Sequence, residues 1–332
     1  MPRSTESESV ILEVKNLVKH FPLRSLGFRK KNRVVHAVDG VSFSISMGHT
    51  FSIVGESGCG KSTIGRTIMR LYPPTAGEVL FKGENIFTLQ RKSLTAIRPK
   101  MQMIFQDPYA SLDPRMTAGE LVAEAVEKHG IVPKNQLGDY IISIMKDCGL
   151  SEEQAERFPH EFSGGQRQRI CIARTLALQP ELIVCDEPVS ALDVSIQAQI
   201  INLLRTLQRE RGIAYLFISH DLAVVKHVSD TVAVMYLGEI VEQADKHTLY
   251  VQPAHPYTKA LLKAVPVLRP GAALNSLILS GDVPSAENPP RGCRFHTRCP
   301  ECMEVCAREF PKPRVLSPNH WVACHQYNGP PR

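Results

Sequence analysis

The sequence predicts an α/β fold whose core is interrupted by an all-helical insert, with antiparallel strands near the N-terminus and a small cysteine-rich C-terminal extension. Three observations carry that expectation. The stretch VGESGCGKST, residues 54–63, is preceded by the strand-like TFSIV and runs into the helical KSTIGRTIMRLY, the strand–loop–helix order of a phosphate-binding loop. From about 115 to 178 the apolar spacing turns helical, with AGELVAEAVEKHG and SGGQRQRICIARTLALQ as its clearest members. Strand-like runs resume at LIVCDE and AYLFISH, and the end of the chain is rich in proline and cysteine.

Taken in order, ILEVKNLV and VSFSISM are rich in β-branched residues and read as strands, GEVLFKGENIF as a further strand pair, and MQMIFQ as a strand that stops at the turn signal DPYASLDP. The helical insert is placed at about 107–178. After LIVCDE, Ile196, Ile200, Leu203, Leu204 and Leu207 recur at helical spacing, and TVAVMYLGEIVEQ reads as a hairpin. Composition shifts towards proline at QPAHPYTKALLKAVPVLRPG, which divides the chain into residues 1–253 and an extension, 254–332.

Composition narrows the class of protein. With 43% hydrophobic and 22% charged residues the chain is ordinary for a globular protein, and a net charge of +6 does not choose between an anionic membrane face and nucleic acid. No apolar run reaches the roughly 20 residues that cross a bilayer, and MPRSTESESV carries no hydrophobic signal segment, so a cytosolic location is expected. In a reducing compartment the crowding of Cys293, Cys299, Cys302, Cys306 and Cys324 favours a metal over disulfides.

The chemistry starts at the glycine loop. Gly55, Glu56, Ser57, Gly58, Cys59, Gly60, Lys61, Ser62 and Thr63 span the pattern G-x-x-x-x-G-K-[ST] and its neighbour, in which backbone N–H groups wrap the phosphates of ATP and the Ser62 hydroxyl ligates Mg²⁺. Cys59 fills a variable position; near a helix N-terminus its thiol is expected to be reactive, so that alkylation inhibits. Asp186 ends an apolar strand, where it can hold Mg²⁺ through water, and Glu187 is placed to polarise the attacking water. In FSGGQRQR, residues 162–169, Ser163, Gly164, Gly165 and Gln166 open a helix whose N-terminus forms a second anion site in the same chain.

With that signature after a phosphate loop, the sequence resembles an ATP-binding cassette (ABC) subunit. The resemblance implies a P-loop NTPase core of ABC type and a head-to-tail dimer, in which the signature helix of one cassette closes over the γ-phosphate held by the other. It also implies roles for Gln106, which reaches Mg²⁺ and the water and senses the membrane partner, for the loop SALD at residues 190–193, and for His220 as the switch histidine near the γ-phosphate. Phe21 in LVKHFPL aligns with the aromatic that stacks on adenine; the insertion RSLGFRKKNR follows it and supplies Phe28 as a competitor.

The phrases GESGCGKST, FQDPYASLDPR, EPVSALDVSIQAQI, MYLGEIVE and HPYTKALL together resemble the second of the two paralogous ATPase subunits of dipeptide and oligopeptide importers, over nearly the whole chain. The likeness implies a second, paralogous ATPase, two membrane permeases, an extracytoplasmic solute-binding protein, and a position on the cytoplasmic face of the inner membrane. Close relatives import nickel, opines or small sugars. The rival from another class is a soluble cassette ATPase acting on DNA or ribosomes. It is disfavoured because the chain has neither a long coiled coil between loop and signature nor a second copy of the motifs, and no nucleic-acid partner is expected.

Cys293, Cys299, Cys306 and Cys324 are separated by five, six and seventeen residues, unlike the close pairs of common zinc ribbons, although Cys299 and Cys302 make one C-x₂-C that keeps Zn²⁺ in play. The importer subunits resembled here carry this wide pattern, and in some it holds a 4Fe-4S cluster; the likeness implies those four residues as its ligands and Cys302 as a spare.

Overall fold

The computed structural model describes residues 9–23, 33–264 and 281–327. The chain falls into two compact units, one made of Met1–Ile11, Ile45–His49 and Thr88–Ile218, the other of Leu12–Ser44, Thr50–Phe87 and Ser219–Arg332.

The second unit begins with β1 (Val10–Leu23) and β2 (Arg33–Ser46), each longer than its apolar run suggested. The fully buried β3 (Thr50–Val54) leads through the glycine loop into α1 (Lys61–Ile68), followed by β4 (Ala76–Phe81) and β5 (Glu84–Asn85). These outer strands form a sheet in the order β2-β1-β4-β5, with β1 antiparallel to β4. Burial alternates along β2 from Val41 to Ile45, which puts Val41, Phe43 and Ile45 inward, the pattern of a sheet with one wet face.

The first unit carries α2 (Arg91–Ile97), β6 (Met101–Ile104), α3 (Ala118–His129), α4 (Leu137–Asp147), α5 (Gly164–Leu176), β7 (Leu182–Asp186), α6 (Val194–Arg211) and β8 (Ala214–Ser219). The insert expected from periodicity is the packed group of α3, α4 and α5. Each end has a local cause: Thr117 and Glu120 make a reciprocal capping box, and α3 stops at Gly130 with φ 62°. β6, β7 and β8 are parallel neighbours, buried on both faces, which is why they read as continuous apolar runs.

The second unit resumes with α7 (Leu222–Val228), β9 (Thr231–Tyr236), β10 (Glu239–Asp245), α8 (Lys246–Val251), α9 (Pro256–Ala264), β11 (Arg314–Ser317) and β12 (His320–Val322). β3 pairs in parallel with β9, β9 and β10 form the expected antiparallel hairpin, and β12 joins the outer side of β10 with Glu242 opposite Val322. A strand from beyond residue 254 is thereby added to this sheet. Glu242, fully buried, fastens the join: its carboxylate accepts from the backbone N–H of Ala254 and His255 and lies 2.9 Å from His320 Nε2.

Candidate nucleotide site

In the second unit the glycine loop is built around Lys61. Its side chain is buried, and its ammonium donates to the carbonyls of Gly55 and Glu56 at 2.8 and 2.9 Å. Among the described residues its third proton has Cys59 Sγ at 3.8 Å, a weak acceptor that an anionic oxygen would displace. Gly60 opens α1 at φ 108°, and a Cβ there would lie 2.0 Å from the carbonyl oxygen of Ala37. A side chain at Gly60 would therefore break the loop's approach to β2. Ser57 and Gly58 are exposed, and Ser62 and Thr63 half-buried at the first turn of α1.

Cys59 corrects the expectation of a reactive thiol. It is 3% exposed, and burial pushes its thiol pKa up although Lys61 pulls the other way. Being neutral and enclosed, it is a packing residue against Gly55.

In the first unit, Asp186 closes β7 and is fully buried, and Glu187 follows with φ 49°. That conformation is costly for a residue with a side chain and persists because its neighbours hold it. The Glu187 N–H donates to the carbonyl of Ile218 at 3.0 Å, its own carbonyl accepts from Ser190 Oγ at 3.1 Å, and its carboxylate accepts from Gln106 Nε2 at 2.9 Å. Gln106 sits just beyond β6, where the chain leaves the sheet, and Ser190 opens the 190–193 loop, whose Asp193 caps α6. Two sequence-expected elements thus converge on one residue, Gln106 on its carboxylate and Ser190 on its backbone carbonyl.

The signature opens α5. Ser163 Oγ accepts from Gln166 N–H and Gln166 Oε1 accepts from Ser163 N–H, a capping box that leaves the N–H groups of Gly164 and Gly165 for an outside anion. Ser163 and Gly164 are exposed; Gly165 is buried, and a Cβ on it would lie 2.5 Å from Ile196 Cγ2 of α6. Of the remaining expected residues, His220 is exposed directly after β8, and Phe21 is half-buried, edge-on to Tyr72 with Lys19 Nζ 4.6 Å from its ring centre. Phe28 lies outside the described residues.

Residues 38–190 match the family model described as ABC transporter, and residues 241–306 match that of the oligopeptide/dipeptide transporter C-terminal region. The chain is 52% identical over 325 residues to the oligopeptide transport ATP-binding protein AppF of Bacillus subtilis, covering 97% of this chain and 99% of that one. It belongs to the ABC transporter ATPases. The putative oligopeptide transport ATP-binding protein YkfD of the same organism is 51% identical, across 96% of this chain and 95% of its own length. Among solved structures, a dimeric ATP-binding cassette in a post-hydrolysis state with ADP and Pi superposes with a TM-score of 0.62 at 30% identity, over 71% of this chain and 98% of that one. CbiO1 of Clostridium perfringens, part of the cbiONQ ABC transporter complex, gives a TM-score of 0.63 at 27% identity, over 74% and 92% of the two chains.

This ABC ATPase carries the loop, the paired carboxylates and the signature on one chain. Sequence reasoning passed over one contact of its phosphate loop: Glu56 is gripped by Arg298, 242 residues away, a separation at which no local pattern signals a pair. Among the described residues no helix is long and apolar enough to cross a membrane.

The four cysteines expected as ligands converge. Burial, and behind it the neighbouring thiols of Cys306, Cys324 and Cys299, pushes Cys293 up to about 12, and burial, with the thiols of Cys324, Cys302 and Cys306 behind it, pushes Cys299 up to about 11. Cys306 and Cys324 are buried, whereas Cys302 is exposed. Among the described residues the one set of three His, Cys, Asp or Glu ligand atoms within 4.8 Å of one another is His20, His36 and Asp39, so no three of the sulfurs lie within that distance of one another. A single zinc at about 2.3 Å from each sulfur would need them closer.

Proposed function

We propose that this chain is the ATP-hydrolysing subunit of a peptide importer, working at the cytoplasmic face of the inner membrane beneath two permease subunits. A paralogous cassette would be its head-to-tail partner, and an extracytoplasmic solute-binding protein would deliver the peptide. The observation that carries peptide over nickel, opines or sugars is the match of residues 241–306 to the C-terminal region of oligopeptide/dipeptide transporters. The cassette comprises residues 1–253 and the extension 254–332.

In this reading the loop from Gly55 to Thr63 holds the phosphates of ATP, Lys61 supplies its remaining proton to them, and Phe21 stacks on adenine. By their family positions Ser62 and Gln106 would offer oxygens to Mg²⁺, a cation that takes hard oxygen ligands, and Asp186 would hold it through water; the Gln106 amide that donates to Glu187 does so through its nitrogen. Bound there, the ion would neutralise charge on the phosphates. Glu187, held by Gln106 and Ser190, orients and polarises the attacking water, and His220 contacts the γ-phosphate. Ser163, Gly164, Gly165 and Gln166 present their helix N-terminus to the nucleotide held by the partner cassette.

The thiols of Cys293, Cys299, Cys306 and Cys324 fit a 4Fe-4S cluster, which takes four thiolates and spans more space than one zinc ion. It would serve as a staple, since this proline-rich segment has few large apolar side chains. The test of the whole reading is reconstitution of the complex in vesicles with its binding protein: ATP-driven uptake of labelled di- and oligopeptides supports it, and turnover stimulated by nickel or sugars but not by peptides overturns it.

A further inference from the structure

Glu56, the second residue of the phosphate loop, is held at three points. Its N–H donates to Tyr257 Oη at 2.9 Å, its carbonyl accepts from Lys61 Nζ, and its carboxylate receives both arms of Arg298, Nη1 to Oε2 at 2.6 Å and Nη2 to Oε1 at 3.0 Å. The Arg298 side chain is 4% exposed and its guanidinium lies 5.9 Å from the ring centre of Tyr236. Its Nε is buried without a hydrogen-bond partner among the described residues. A buried guanidinium with one orphaned donor is a poor device for stability, because desolvation offsets the attraction to the carboxylate. Its planar fork does fix a carboxylate in position and orientation.

The segment that delivers Arg298 is itself anchored. It runs from Cys293 to Cys299; Phe295 packs against Tyr236 and Tyr257 with ring centres 5.2 and 5.3 Å apart, and Arg294 pairs with Asp39 and with Glu239 at 3.0 Å. Of its two arginines, only Arg298 touches the loop among the contacts described.

We infer that Arg298 is a positioning residue of the ATPase, fixing the first corner of the phosphate loop through the Glu56 carboxylate so that the cysteine-bearing segment sets nucleotide affinity. This rests on the reading of the loop as the ATP site. Without the fork the Glu56 side chain turns to water, the corner loosens, and the backbone donors that meet the phosphates lose their alignment.

The experiment measures MgADP affinity of the full chain by calorimetry for wild type, Arg298→Met, Arg298→Lys, Glu56→Gln, the Arg298→Met/Glu56→Gln pair and Arg294→Met. Arg298→Met and Glu56→Gln should each weaken binding about tenfold, the size of one buried charged hydrogen bond. The pair should be no weaker than either single change, Arg298→Lys should recover part of the loss, and Arg294→Met, which loosens the segment but leaves the fork itself in place, should lose less than Arg298→Met. Additive losses in the pair, an equal loss in Arg294→Met, or unchanged binding in Arg298→Met overturns the inference. If Arg298→Met does not fold, Glu56→Gln decides by itself: with an unchanged melting temperature it must still weaken binding. A wild-type chain that does not bind MgADP sinks the ATP reading, and this inference with it.

Discussion

Gln106 and Glu187 meet at 2.9 Å, amide nitrogen to carboxylate oxygen, although 81 residues separate them. The bond turns the end of β6 into a restraint on the carboxylate proposed to polarise water. Glu187→Gln keeps the shape and removes the base, so hydrolysis in the assembled transporter should fall by about 10²–10⁴ while MgATP binding persists. Single-turnover hydrolysis together with a nucleotide-binding assay checks this, and near-normal turnover removes Glu187 from the role.

Gly165 is expected to resist even the smallest side chain. A Cβ there meets Ile196 Cγ2 at 2.5 Å, and a β-branched side chain on a helix has little room to rotate away. Gly165→Ala should cost about 1–3 kcal/mol of stability and slow hydrolysis by tilting the signature. Adding Ile196→Ala removes the clashing methyl and should return part of both, as followed by chemical denaturation and turnover. Full stability in Gly165→Ala alone would mean that α5 and α6 yield more easily than their packing implies.

His255 gives the fold a calculable pH dependence. Burial, with Lys259 adding to it, lowers its pKa to about 3, and Nδ1 accepts the N–H of Tyr257 at 3.1 Å, as a neutral ring must. Because the folded chain binds fewer protons at this site than the unfolded one, the stabilisation is complete above the unfolded value near 6.5 and is lost as pH falls from there towards 3. The slope is about 1.4 kcal/mol per pH unit at most. Melting temperatures between pH 7 and pH 4 should fall less steeply in His255→Asn, which can keep the acceptor without the titrating ring; an identical slope would refute the assignment.

The cysteine segment makes an analytical prediction. Protein prepared without oxygen should contain iron and acid-labile sulfide, and Ser at Cys293, Cys299, Cys306 or Cys324 should remove them. Cys302, exposed and expected as the spare although its thiol neighbours that of Cys306, should be replaceable by Ser without loss. Stoichiometric zinc in place of iron would leave a staple of another metal.

What could be read without coordinates was local. The phosphate loop, the helix opening at Ser163 to Gln166, and the hairpin of β9 and β10 each lie within a short stretch whose residue types dictate its conformation. The fork of Arg298 on Glu56 depends on a long detour of the chain and left no periodic trace. Cys59 was misjudged for a related reason: sequence placed it near a helix N-terminus, where thiolates are favoured, but burial outweighs that field once the loop folds over the sulfur. The positive φ of Glu187 was equally hidden, since Pro188 signals a break after the strand but not a left-handed φ at the glutamate.

The pairing of β12 with β10 has a consequence for how the protein is made. On the ribosome, β9 and β10 can close as a hairpin early, yet the outer edge of β10 stays open until Val322 has emerged to face Glu242. During that interval Glu242 lacks the ring of His320, and the nascent chain presents an unpaired strand edge able to recruit a strand from a neighbouring molecule. Synthesis stalled within the cysteine segment would therefore produce a chain with its nucleotide motifs complete and a self-associating edge exposed, which makes the final strand a guard on assembly quality.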